Sequence, residues 1–168
     1  MSDLIFLVGY RGVGKTTIGK GLAKSLEYDF LDTDEEIVRL RHAEITDIVT
    51  NEGWEGFRRY EREVLRSLRN LSRTVVATGG GAVVHRQEWK DLGKNGVVVW
   101  LTAEVEVLRD RLHEDQLNHS QRPSLTGTGL EDEIATVLSE RNPLYQQISH
   151  HCLDTGMKEA HEIVHEIV

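Results

Sequence analysis

The sequence predicts an α/β fold, a three-layer sandwich with a parallel sheet between layers of helix. Three observations point there. Valine-rich apolar runs of strand length recur along the chain, and they are continuous rather than alternating. Continuous runs suit strands buried on both faces, as in a parallel sheet. Helical patterns separate the runs, and strand–helix alternation implies right-handed crossovers. Gly and Pro gather at the carboxyl ends of the runs, where α/β folds bind ligands.

The first strand is LIFLVG (4–9), followed by a helical pattern at 15–26. Phe30-Leu31-Asp32 forms a short second strand. Helices at 34–41, 46–52 and 54–70 come next. TVVAT (74–78), GVVVWL (96–101) and HCLD (151–154) are the remaining strands. Helical patterns at 104–113, 130–148 and 158–167 complete the alternation. Residues 113–129, HEDQLNHSQRPSLTGTG, are polar and contain Gly and Pro. They read as a lid, a binding loop or a disordered segment.

Composition narrows the function classes. The chain has 168 residues, 39% apolar and 29% charged, which fits one folded domain spanning 1–168. A net charge of −8 disfavours nucleic acid as a partner, because phosphate backbones need a basic surface. A small anionic ligand stays open, since a few local arginines override a global charge. There is no run of 18 apolar residues and the start does not read as a signal peptide, so no membrane association is expected. A single cysteine, Cys152, suits a reducing cytoplasm and leaves no internal disulfide.

The strongest motif is GYRGVGKT (9–16), which follows a strand and opens a helix. That setting is the one a phosphate-binding P-loop requires. Glycines let successive N–H groups of Gly12, Val13 and Gly14 point at one phosphate chain. Lys15 would reach the β- and γ-phosphates, Thr16 would place its hydroxyl on Mg²⁺, and Thr17 follows in the same turn. Asp32-Thr33-Asp34 sits just after the second strand. Asp32 could hold Mg²⁺ through water, and Asp34 could take a proton from a substrate hydroxyl. The alternative is that Thr33 or Asp34 caps the next helix. The third strand ends in Thr78 rather than an acid, which shifts the metal role to Asp32. Gly79-Gly80-Gly81 then marks a close backbone approach with an N–H offered to a ligand, or a plain tight turn.

Two arginines carry the substrate argument. In WEGFRRYERE (54–63), Trp54, Phe57, Glu61 and Leu65 share one helical face, and Arg58 lies within it. Arg59, Arg62, Arg66 and Arg69 point to water. Burying an unpaired guanidinium is prohibitive, so Arg58 needs an anionic partner: Glu61 at i+3, or a ligand. Arg141 repeats the choice at the centre of a stripe formed by Ile134, Val137, Leu138, Tyr145 and Ile148. Two inward arginines on two helices imply a substrate carboxylate gripped bidentately. Arg122, in the polar segment, is either solvated or closes over a transferring phosphate. His161 and His165 match the HExxH pattern, but their place at the solvent edge and the short chain beyond them argue against zinc. His150, His151 and Cys152 read as strand and packing residues.

Together these motifs resemble the shikimate kinase family of P-loop kinases. The resemblance rests on GYRGVGKTT, DTD (32–34), Phe57-Arg58-x-x-Glu61, the three glycines, Arg122-Pro123 and Glu140-Arg141-x-Pro-Leu-Tyr145. Arg11 with the following KTT is most similar to the second bacterial isoenzyme type. The resemblance implies a five-stranded parallel sheet of order 2-3-1-4-5 and a substrate-binding region at about 33–61. It implies ATP-dependent phosphorylation of the 3-hydroxyl of shikimate, in the route to aromatic amino acids. It assigns Asp34, Arg58, Gly80 and Arg141, with Gly79 and Gly81, to shikimate. Lys15 and Thr16 fall to nucleotide and Mg²⁺, Arg122 to the lid, and Arg111 (or Arg109) to adenine. A cytoplasmic monomer working on ATP and shikimate is the expectation. The rival readings are a gluconate kinase, a nucleoside-monophosphate kinase and a P-loop binding module without turnover.

Overall fold

The first strand, β1 (Leu4–Val8), sets the layers. Leu4, Phe6 and Val8 enter one core, while Leu7 enters the other with Ile5 at its margin. Successive side chains of any strand project to opposite faces; here both faces are apolar because helices cover both. The structure is a computed structural model that describes residues 3–118 and 123–168. Within them the strands β2 (Asp29–Asp32), β3 (Thr74–Ala77), β4 (Val97–Thr102) and β5 (His151–Asp154) join β1 in the order β2-β3-β1-β4-β5. Every neighbouring pair is parallel, with Phe6 level with Val76 on one side and Val98 on the other. This is the sheet and the order that the resemblance implied.

Helices α1 (Lys15–Leu26), α5 (Val105–Asn118) and α7 (Ala160–Ile167) cover one face, through Ile18, Leu22, Leu108, Leu112 and Ile163. Helices α2 (Thr33–Arg41), α3 (Ile45–Ser67) and α4 (Arg86–Asn95) cover the other, through Ile37, Phe57, Leu65, Trp89 and Leu92. Helix α6 (Leu130–Ile148) serves both faces. Its Ile134 and Val137 join the core of α1, whereas Leu144, Tyr145 and Ile148 join the core of α3. The expected single stripe is thus shared between two cores. Arg141 lies between its two halves and lines a cleft with the loops that follow β1 and β3.

The two helices expected at 46–52 and 54–70 are present as the two arms of α3, which meet at Gly53, where a φ of 70° and ψ of 176° break the helical path. Other local expectations need correction. Helix α4 was not expected. Its sequence RQEWKDLGKN sets Trp89 and Leu92 on one face at helical spacing, but they are only two large apolar residues in an otherwise polar stretch. Tertiary contacts also hold it: the Trp89 indole donates to the Ala82 carbonyl, and Arg66 and Arg69 pair with Glu88 and Asp91. Helix α5 continues to Asn118, so the start of the polar segment 113–129 is helical. Cys152 is exposed on edge strand β5 rather than packed. His150 extends the sheet edge, its Nδ1 accepting from the Val98 amide at 2.9 Å.

Candidate active site

Residues 9–14 carry the chain from β1 into α1. Gly9, Gly12 and Gly14 all have positive φ, at 141°, 83° and 98°. A Cβ at Gly9 would lie 2.2 Å from the Leu101 carbonyl oxygen, so only glycine fits. No side chain caps the start of α1. Its first-turn N–H groups and the helix dipole therefore favour an anion there. Lys15 is 9% exposed, and its ammonium donates to the carbonyls of Gly9 and Tyr10 at 2.8 Å each. Val13 is buried, its carbonyl accepting from the Thr155 hydroxyl at 2.9 Å.

The Thr16 hydroxyl donates to Asp32 Oδ2 at 2.8 Å. Oδ1 of the same carboxylate accepts from the amides of Asp34 and Glu35, so Asp32 caps α2. The alternative reading places the cap at Thr33 or Asp34. It falls one residue earlier because Asp32 still has extended backbone, while the buried Thr33 hydroxyl accepts from the Gly79 amide at 2.9 Å. Asp34 is thereby relieved of capping. Its carboxylate is 7% exposed and lines a cleft of about 450 Å³, part of it open to solvent.

The three glycines form the opposite wall. Side chains crowd this wall: a Cβ at Gly79 would lie 2.6 Å from Asp34 Oδ1 and one at Gly81 would lie 2.1 Å from Arg58 Nη1, so either would displace the side chain it meets. The Gly79 N–H serves Thr33, so it is not the donor the sequence suggested for a ligand. Arg141 Nη1 stands 3.6 Å from the Cβ position of Gly80. The two inward arginines therefore reach neighbouring residues of one loop. Tyr145 ties that loop to α6, its hydroxyl donating to the Gly80 carbonyl. Burial pushes the Tyr145 phenol up to about 12.

The cleft brings together Asp34, Arg58, Gly79, Gly80, Gly81 and Arg141, and the P-loop residues Tyr10 and Arg11 border it. Trp54, Phe57 and Ile45 add an apolar wall. Of the two sequence alternatives for Arg58, the pairing with Glu61 at i+3 is present, at 2.7 Å, and Arg58 remains 21% exposed in the cleft. Arg111 reaches the P-loop from α5, donating to the Gly12 carbonyl at 3.2 Å and to the Thr155 carbonyl at 2.7 Å. Arg109 instead pairs with Asp110 and Glu131. Arg122 lies outside the described residues. Thr17 is exposed in the first turn of α1.

Three residues escaped the sequence reading. Glu133 is 1% exposed and accepts from Arg11 at 2.7 Å, from Ser124, and from the amides of Leu125 and Thr126. Burial alone would raise its pKa; the hydrogen bonds and the Arg11 charge outweigh that, so it sits below the usual range. Thr155 joins the loop after β5 to the P-loop. His85 is buried against Glu61, its Nε2 at 2.8 Å from Oε2. Only Glu133, an acid one position before the apolar Ile134, carried any local signal.

The family model described as shikimate kinase matches residues 11–168. A curated relative from Yersinia enterocolitica, named shikimate kinase 2, is 44% identical over 168 residues, covering all of this chain and 95% of its own. A shikimate kinase from Acinetobacter baumannii, solved in complex with shikimate, superposes with a TM-score of 0.90 at 37% identity, covering 98% of this chain and 90% of that one. A gluconokinase from Sinorhizobium meliloti shares the fold at a TM-score of 0.61 and 20% identity, over 98% of this chain and 89% of its own. Since the match runs through the P-loop, the cleft residues and α6 alike, the chain belongs to the shikimate kinase family.

Proposed function

We infer that the protein transfers the γ-phosphate of ATP to the 3-hydroxyl of shikimate, giving shikimate 3-phosphate and ADP. One observation carries this reading. Two guanidiniums, Arg58 and Arg141, meet above the glycine wall of a cleft that also holds the Asp34 carboxylate and opens beside the P-loop. Shikimate offers the complement, a carboxylate for the arginine forks and a hydroxyl for the aspartate. Gly80 and Gly81 let the acid lie close to the backbone, and Gly79 leaves room for Asp34.

Phosphoryl transfer passes through a loose transition state, so positioning and charge stabilisation dominate. Arg58 and Arg141 fix the acid. Asp34 orients the attacking hydroxyl and accepts its proton. The amides of Gly12, Val13 and Gly14 cradle the phosphates, and Thr16 and Thr17 continue that cradle into α1. Lys15 turns from the loop carbonyls to the β- and γ-phosphates. Arg111 closes the nucleotide side, and Arg122 supplies a further cation from the lid at about 113–129. Thr16 and Asp32 suit Mg²⁺, because their oxygens stand together at the phosphate end and Mg²⁺ shells are completed by water and phosphate. That ion neutralises charge on the β- and γ-phosphates when bound. No helix among the described residues is long and apolar enough to cross a membrane. The chain works as one domain, a cytoplasmic monomer, on two small substrates.

The test is ADP release with shikimate, gluconate or AMP as acceptor. Shikimate-dependent release with neither alternative active is expected. Gluconate-dependent release, or ATP binding without turnover, would overturn the reading.

A further inference from the structure

The Glu61 carboxylate is 0% exposed, so no bulk water solvates its charge. Its Oε2 takes two partners, Arg58 Nη1 at 2.7 Å from within α3 and His85 Nε2 at 2.8 Å from the turn before α4. Its Oε1 makes no hydrogen bond among the described residues and faces the Gly79 wall, 3.1 Å from the Cβ position there. A carboxylate with one free oxygen and one guanidinium nearby would rotate into the bidentate fork pairing that Arg favours. That pairing would draw both guanidinium nitrogens away from the cleft. Something must pin Oε2.

We propose that His85 is a positioning residue for the acid substrate: its Nε2–H anchors Glu61 so that Arg58 spends one nitrogen on the protein and keeps the rest of its fork for the carboxylate of shikimate. The assignment of the proton follows from chemistry, since a carboxylate offers only acceptors and Nε2 must donate. The anchor is rigid. The His85 amide donates to the Ala82 carbonyl at 3.2 Å, the His85 carbonyl accepts from the Trp89 amide at 3.2 Å, and the Trp89 indole returns to the Ala82 carbonyl at 2.8 Å. His85 stands at the N-cap of α4, yet its side chain makes no cap bond. Its ring is spent on Glu61 instead. A purely structural histidine would fill the same space, but it would not need to meet the oxygen that Arg58 also uses.

This inference rests on the reading of the cleft as the shikimate site, and the experiment separates the two. KM for shikimate and for MgATP are measured for the wild type, His85→Leu and His85→Gln. The wild type must turn over shikimate, and its failure to do so would overturn both readings. With turnover present, His85→Leu should raise KM for shikimate about tenfold and change KM for MgATP less than twofold. His85→Gln restores a donor and should recover most of the loss. Equal weakening of both substrates, or no change for shikimate, would overturn the role of His85 alone. Should His85→Leu not fold, ¹⁵N-histidine NMR of the wild type decides. The His85 Nε2–H signal should be slow to exchange and should move on adding shikimate but not MgADP. An unmoved signal at saturating shikimate overturns the proposal.

Discussion

In the proposed reading Arg58 and Arg141 divide the work of holding one carboxylate, so each alone is expected to matter. Removing either leaves the substrate charge poorly paired, at a cost of about 2–4 kcal/mol in kcat/KM for shikimate. Arg58→Ala and Arg141→Ala should leave ATP affinity nearly unchanged, because the P-loop is a separate segment of chain. Titration of ATP against each variant checks this, and equal loss of both substrates would make the arginines structural. Lys15 behaves differently. It now bonds to the carbonyls of its own loop and is expected to swing to phosphate during transfer. Lys15→Met should lower kcat by roughly 10²-fold or more, as losses of preorganised charge do. Asp34→Asn should keep ATP binding and lose most transfer. Such residues were legible because each sits inside a local pattern: a glycine loop, a strand end, or an apolar face with one charge in it.

At the scale of elements, the bend in α3 is a backbone device. Gly53 occupies a region of φ and ψ reserved for glycine, and nothing lies within 4 Å of a Cβ built there. Gly53→Ala thus tests strain free of clash, and a loss of about 1–3 kcal/mol in unfolding free energy is expected. Urea denaturation measures it; an unchanged midpoint would mean that the helix straightens at no cost. Glu133 joins the start of α6 to the P-loop and to residues 124–126. Its carboxyl is held below the ordinary pKa, so this support is present above pH about 4.5 and is lost as pH falls through the lowered value. Glu133→Ala should speed hydrogen exchange at the Leu125 and Thr126 amides by about tenfold, a local opening of the kind exchange reports. Exchange equal to the wild type would show that these amides do not depend on the carboxylate. Helix α4 shows what so short a pattern leaves out: Trp89 and Leu92 give it one apolar face, but its tie to the rest of the fold comes from the Trp89 indole bond to Ala82 and from Arg66 of α3 paired with Glu88.

Across the whole molecule, α6 connects the two cores and Tyr145 is buried at its far end. The phenol's folded pKa of about 12 lies above its ordinary value of 10.0, so the folded state holds this proton more tightly. That contribution is fully present below pH 10 and fades as pH rises through the folded value. At about 1.4 kcal/mol per unit, up to roughly 3 kcal/mol is lost by pH 12. Tyr145→Phe should flatten the alkaline limb of stability measured by denaturant at pH 9 to 11, and parallel curves for the two proteins would contradict it. By itself the sequence determined the strands, the P-loop, the acid pair after β2 and the inward arginines. Periodicity along an element records burial, and glycine spacing records backbone shape. Only the tertiary structure decided that Glu133 meets Arg11 across 122 residues and that His85 meets Glu61 across 24. It also decided that α6 passes between cores so that Arg141 faces the cleft. These pairings depend on where the sheet delivers each loop, and no local window of residues carries that distance.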